Sequence, residues 1–186
     1  MFIANKYKET NIVEYVLYMW HIEELIRSFN FSIEEIDKHV IQSFGLDADK
    51  KEQLRNWYSD LIKKMTEQGI RNEGHLLELK EIMNEIQYLH HSLLTVFQDK
   101  DYQRLVAEAM PGIEALKSKS DGRPQTDIEV AMNGLFGVLV LKLKKKQVSA
   151  STQEAVKAIS AMMAALAGFY KKMKSGSLSF PRVMEN

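Results

Sequence analysis

Apolar residues in this chain recur at three- and four-residue steps almost from end to end, and no stretch alternates apolar and polar side chains between Gly or Asn turns. The first pattern places one side of an α-helix in a core; the second, which would mark strands, is missing. The period is clearest in Leu76, Leu79, Met83, Ile86, His90, Leu93 and Phe97, and again in Ile12, Tyr15, Met19, Ile22, Ile26 and Phe29. Val13, Leu17 and Trp20 widen the second stripe to most of the circumference, which predicts a central helix. The expected fold is therefore all-α: a single-domain bundle of about six to eight mostly antiparallel helices over residues 1–174, followed by a C-terminal tail, 175–186.

Helix boundaries follow from capping chemistry. A Ser, Thr or Asp three residues before Glu can satisfy the orphan donors of a first turn, and this spacing occurs at Ser32 and Glu35, Asp49 and Glu52, Thr126 and Glu129, and Ser151 and Glu154. Gly45, Gly69 and Gly122 stand where helices should end. The helices drawn on these signals span 11–30, 32–44, 49–68, 73–98, 101–120, 127–147 and 151–174. Pro111 falls inside the fifth, and because proline lacks the amide donor it predicts a split there, with Pro111 opening a second short helix.

Composition narrows the function classes. With 186 residues, 45% hydrophobic and 27% charged, the chain has the balance of a folded globular domain. The absence of cysteine excludes disulfides, thiolate nucleophiles and zinc sites built on sulfur. The first 11 residues lack the apolar centre of a signal peptide, and the longest apolar stretch, Val130–Leu141, falls short of the ~20 residues of a membrane span. A cytoplasmic protein with no membrane partner is expected.

Formal charge sums to zero, but residues 1–100 carry 12 basic and 17 acidic side chains and the remainder 13 and 8. Opposite halves of this kind favour internal docking or self-association. Lys142, Lys144, Lys145 and Lys146 end one helix and Lys171, Lys172 and Lys174 end another, where cations complement the helix dipole. No basic stripe interleaved with aromatics results, so no nucleic-acid partner is expected.

Catalytic and metal motifs are missing: there is no Glu-x-x-His, no His-Glu-x-x-His, no Gly-x-Ser-x-Gly and no Gly-rich phosphate loop. The nearest patterns are His21 with Glu24 and His75 with Glu78, both common in helices rich in Glu. No cofactor or metal is expected. His90, by contrast, occupies a core position of an apolar seam, where a buried imidazole needs partners. It is either a neutral histidine bonded to a backbone carbonyl or a side chain, or the lining of a pocket. His21, flanked along one line by Glu14, Tyr18 and Glu24, and Asn133 interrupt equally apolar helices. These residues raise the prospect of a small polar pocket inside the bundle, lined by Tyr18, His21, His90 and Asn133. Ala158, Ala161, Ala165 and Gly168 form a small-residue face expected to pack on another helix, with Gly134 and Gly137 as its counterpart.

These readings lead to a non-catalytic helical protein acting through protein–protein contacts or self-association. The alternative is a small-molecule binder using the polar-lined pocket.

The run Asn11-Ile12-Val13-Glu14-Tyr15-Val16-Leu17-Tyr18-Met19-Trp20, followed by Glu24-Leu25-Ile26-Arg27, resembles the opening of an uncharacterised bacterial family of small all-helical proteins, a domain of unknown function. Glu73-Gly74-His75-Leu76 and the segment from Leu139 to Lys146 before Ser151 to Ser160 are similar to the same family, so the likeness spans the whole chain. It implies a single helical domain in the cytoplasm, and it brings no activity or catalytic residue with it.

Overall fold

The computed structural model describes residues 1–118 and 125–178. Its helices are α1 (Phe2–Thr10), α2 (Ile12–Ser28), α3 (Ile33–His39), α4 (Ala48–Glu67), α5 (Leu77–Thr95), α6 (Lys100–Lys117), α7 (Asp127–Leu143) and α8 (Ala150–Lys174), with a 3₁₀ turn at Ile41–Ser43. No strand occurs among the described residues. The all-helical bundle expected from periodicity is what forms.

Helix α2 is the axis of the core. Ile12, Val13, Tyr15, Val16, Leu17, Met19, Trp20, Ile22, Glu23 and Ile26 are all buried, so most of its circumference is covered. It touches α1, α7 and α8. Helix α1 lies outside the helices expected from the period. Asn11 breaks the chain in extended conformation (φ −155°) and its side chain accepts bonds from the Val13 and Glu14 amides. The chain folds back there, bringing Ala4 into the core and the Tyr7 ring edge-on to Tyr18 at 5.9 Å.

The expected split at Pro111 does not occur: α6 runs unbroken through it. Proline in a helix interior costs ~3 kcal/mol. Here the ring faces solvent while Ala109, Gly112 and Ile113 are buried, and α6 makes its closest packing, against α8, at this point. A Cβ on Gly112 would lie 3.0 Å from the Ala155 Cβ and 3.3 Å from its Cα, so glycine sets the interhelical distance. The close approach is thus between α6 and α8, not across the small-residue faces of α7 and α8. Gly134 faces Leu116 of α6, and Gly137 and Gly168 border open space.

Caps agree with the sequence at two helices and shift by two residues at two others. Ser32 accepts from the Glu35 amide, and Thr126 with Glu129 forms the reciprocal box. The α4 and α8 caps are Asp47 and Ser149 rather than Asp49 and Ser151. The upstream residue of each pair wins because it lengthens the hydrogen-bonded ladder, and Asp49 then sits in a first turn where its charge suits the dipole. Gly69 takes φ +68° after α4, as a C-terminal cap requires, whereas Gly45 stays out of the left-handed region. Gly122, the end of the helix drawn to residue 120, and Phe180 and Pro181 of the tail lie outside the described residues. Of that tail, Leu178 packs against the core.

Candidate functional site

Helix α5 starts at Leu77, four residues later than the period suggests, because α2 and the residue that ends α4, Gln68, hold the preceding segment in an irregular path. Glu23 Oε1 accepts from the Leu76 amide at 2.9 Å, and Gln68 Oε1 accepts from the Leu77 amide at 2.8 Å. Arg27 donates through Nη2 to the carbonyls of Ile70, at 3.1 Å, and of Gly74. Gly74 turns the chain at φ +91°, a conformation that costs a residue with a side chain ~1–2 kcal/mol.

This path sets His75 in place. Its Nδ1 lies 2.6 Å from Glu23 Oε2, and its ring stacks on Trp20 at 4.4 Å with planes 15° apart. The Glu23 side chain is only 1% exposed, and both of its oxygens are engaged. A carboxylate only accepts, so this bond needs a proton on Nδ1; Nε2 is then an acceptor in the neutral ring and a second donor in the charged one. Among the described residues Nε2 has no hydrogen-bond partner, and about a third of the His75 side chain is exposed.

His75 forms one end of a cleft of about 410 Å³ between α5 and the start of α7. Trp20, Leu79 and Met83 supply apolar surface, while Lys80, Asn84, Gln125, Glu129 and Asn133 add polar groups. Trp20 is braced by the edge of Phe136 at 5.7 Å. One oxygen of Glu129 is already committed, Oε2 accepting from the Thr126 amide and hydroxyl at 2.7 and 3.0 Å, and Glu23, which is not part of the lining, is spent on His75 and Leu76. Lys80 forms no ion pair with the described residues. Volume, apolar floor and a few convergent polar groups are those of a small-molecule site.

The residues picked out from the sequence are dispersed relative to this cleft. Asn133 lines it and is exposed. Tyr18 packs edge-on against Tyr7, and burial, with a smaller contribution from Tyr7, raises its phenol above the ordinary value. His21 is half-buried on α2, where burial lowers its pKa. His90 is 5% exposed, with Nδ1 2.7 Å from the Tyr102 hydroxyl. Burial holds its pKa below 6.5 against the opposing charge of Asp127. No hydrogen bond, ion pair or ring contact joins any two of Tyr18, His21, His90 and Asn133.

Glu23 and His75 escaped the sequence reading for a physical reason. Glu23 follows Trp20 by three residues and Met19 by four, so an acid on the widened apolar stripe was the available signal. Spacing pairs His75 with Glu78 on one helix face, whereas its carboxylate partner lies 52 residues away.

Comparison with known proteins adds one match. The family described as Domain of unknown function (DUF4924) matches residues 1–177. Neither the curated proteins nor the solved structures give a match.

Proposed function

The chain belongs to the DUF4924 family, whose description names no activity, and we propose that it binds a small molecule in the cleft floored by Trp20 and ended by His75. The observation that carries this reading is the buried Glu23. Burying a carboxylate is costly unless it is fully bonded, and this one is committed to orienting a histidine whose other nitrogen is left open. A core needing only stability would do as well with apolar residues in place of the whole Glu23–His75 pair. Oriented imidazole beside an apolar floor is how binding sites fix the direction of a polar ligand group.

The test is a fragment library screened by saturation-transfer NMR against the full chain and against Asn84→Trp, which fills the cleft from an exposed position. Fragments that bind the first and not the second support the reading. Binding unchanged by Asn84→Trp, or no binding at all, rejects it.

A second reading, contact with a second copy of the chain, draws on α7. Leu135, Phe136, Leu139, Val140 and Leu141 are only half-buried and Leu143 is 54% exposed, giving a strip apolar enough to seek cover. Lys142, Lys144, Lys145 and Lys146 edge the strip, and the acidic first hundred residues offer them a complement. Mass by light scattering that rises with concentration, and falls back in Leu143→Glu, supports this. A monomer at all concentrations rejects it.

A further inference from the structure

Helix α7 carries no charged residue between Glu129 and Lys142, and a helix this apolar is normally covered on every side. It packs on α2, α5, α6 and α8, yet one side is left bare. On that side Glu129, Asn133, Phe136, Val140 and Leu143 follow one another at four- and three-residue steps, the seam that one helix presents to another. Glu129, Asn133, Gly137 and Leu143 are exposed there, and Phe136 and Val140 are half-buried. An apolar groove of about 700 Å³, lined by Phe136, Gly137, Val140 and Leu141 among others, follows the same side. We propose that this side is the contact of a two-fold dimer in which α7 of one chain crosses α7 of a second copy, antiparallel, at Gly137. The proposal rests on the reading of α7 as a contact with a second copy.

Charge sets the direction. The helix begins with Asp127 and Glu129 and runs out into Lys142, Lys144, Lys145 and Lys146. A parallel pair would stack lysines on lysines, whereas an antiparallel pair lays the basic end of each helix on the acidic start of the other. Asp127 is already paired with Lys117, but neither Glu129 nor Lys144 forms an ion pair with another described residue. Glu129 stands eight residues before Gly137 and Lys144 seven after it, about 12 and 10.5 Å along the axis. A two-fold axis through Gly137 therefore brings Glu129 level with the partner's Lys144, and symmetry repeats the pair at the other end. Gly137 suits the crossing point because no atom lies within 4 Å of where its Cβ would be, so the bare backbone can be approached closely. One helix pair buries less than the ~1,200 Å² of a stable complex, so the dimer is a weak one.

Sedimentation velocity of the full chain, from about 10 μM to about 1 mM, covers the range of such a contact. Lys144→Glu and Glu129→Lys should each weaken self-association about tenfold, since a substitution acts twice in a two-fold contact. An equimolar mixture of the two variants should regain the parent affinity, because every reversed charge then meets its opposite across the mixed pair. The cysteine-free chain allows a second readout that leaves the Thr126 cap untouched and so stays decisive if Glu129→Lys fails to fold. Gly137→Cys sets two thiols against each other at the axis, and under mild oxidation it should form a disulfide-linked dimer about tenfold faster than Gln53→Cys, exposed on α4. Self-association that survives both charge reversals, or equal cross-linking at positions 137 and 53, overturns the antiparallel α7 pair while leaving a contact with a second copy elsewhere on the chain. A monomer at every concentration rejects the underlying reading and this arrangement with it.

Discussion

Glu23 of α2 and His75 of the segment before α5 are held 2.6 Å apart across 52 residues of sequence, with the carboxylate almost wholly out of water. That one contact joins the central helix to the segment from which α5 begins. It also decides which nitrogen of the imidazole is offered to the cleft. The start of α5 and the lining of the cleft therefore depend on the same carboxylate.

Removing it should be costly. Glu23→Leu leaves the Leu76 amide and His75 Nδ1 without acceptors, and loss of one partner from a buried pair typically costs ~3–5 kcal/mol. Glu23→Gln, whose single carbonyl can accept only part of the load, should fall between this and the parent chain. Urea midpoints read with unchanged slope check both values.

His90 and Tyr102 behave as a unit. His90→Leu alone strands the hydroxyl of Tyr102, a residue 1% exposed, at a cost of ~1–3 kcal/mol. Tyr102→Phe alone strands His90 in the same way. The double variant His90→Leu, Tyr102→Phe removes both groups and should lie within ~1 kcal/mol of the parent, so the cycle should show strong coupling. Additive single effects would refute the pairing.

The period of the apolar residues reads through to the helices because burial and local geometry agree there, as in α2 and in the seam from Leu79 to Leu93. It misplaces the start of α5 because the amides of Leu76 and Leu77 are claimed by the side chains of Glu23 on α2 and Gln68 just after α4, contacts that no local spacing encodes. Pro111 misleads for a similar reason: tertiary packing of Gly112 on Ala155 outweighs a local penalty. Of the cleft, Asn133 stands out in the sequence as a polar interruption of an apolar helix and His75 only through its spacing to Glu78; Trp20 reads simply as core. His90 is legible as buried but not as the partner of Tyr102, twelve residues on.

Glu85 clasps α5 to α8. Its oxygens accept from the Tyr170 hydroxyl at 2.5 Å and from Lys174 Nζ at 2.8 Å. Burial alone would raise the carboxyl, but these hydrogen bonds and the Lys174 charge outweigh it and hold the pKa below 4.5. A depressed carboxylate stabilises fully above its unfolded value and loses that contribution as pH falls through the folded one. The acid limb of the stability profile below about pH 4.5 should therefore be shallower in Glu85→Gln, and thermal melts from pH 2 to 6 would show it.

Two glycines should respond in opposite directions. Gly112→Val drives a branched side chain into the Ala155 backbone and should cost ~1–3 kcal/mol or more. Gly137→Ala meets open space in a helix interior and should stabilise by ~0.5–1 kcal/mol. Equal responses would contradict the close approach of α6 to α8.

The central claim is that Glu23 holds His75 with Nε2 turned to a cleft ligand, and the side-chain ¹⁵N spectrum of His75 reads it directly. The spectrum should show a proton on Nδ1, with the Nε2 resonance moving saturably as a fragment that binds the cleft is added. A ring without a proton on Nδ1, or an Nε2 resonance that stays fixed through the titration, would contradict it.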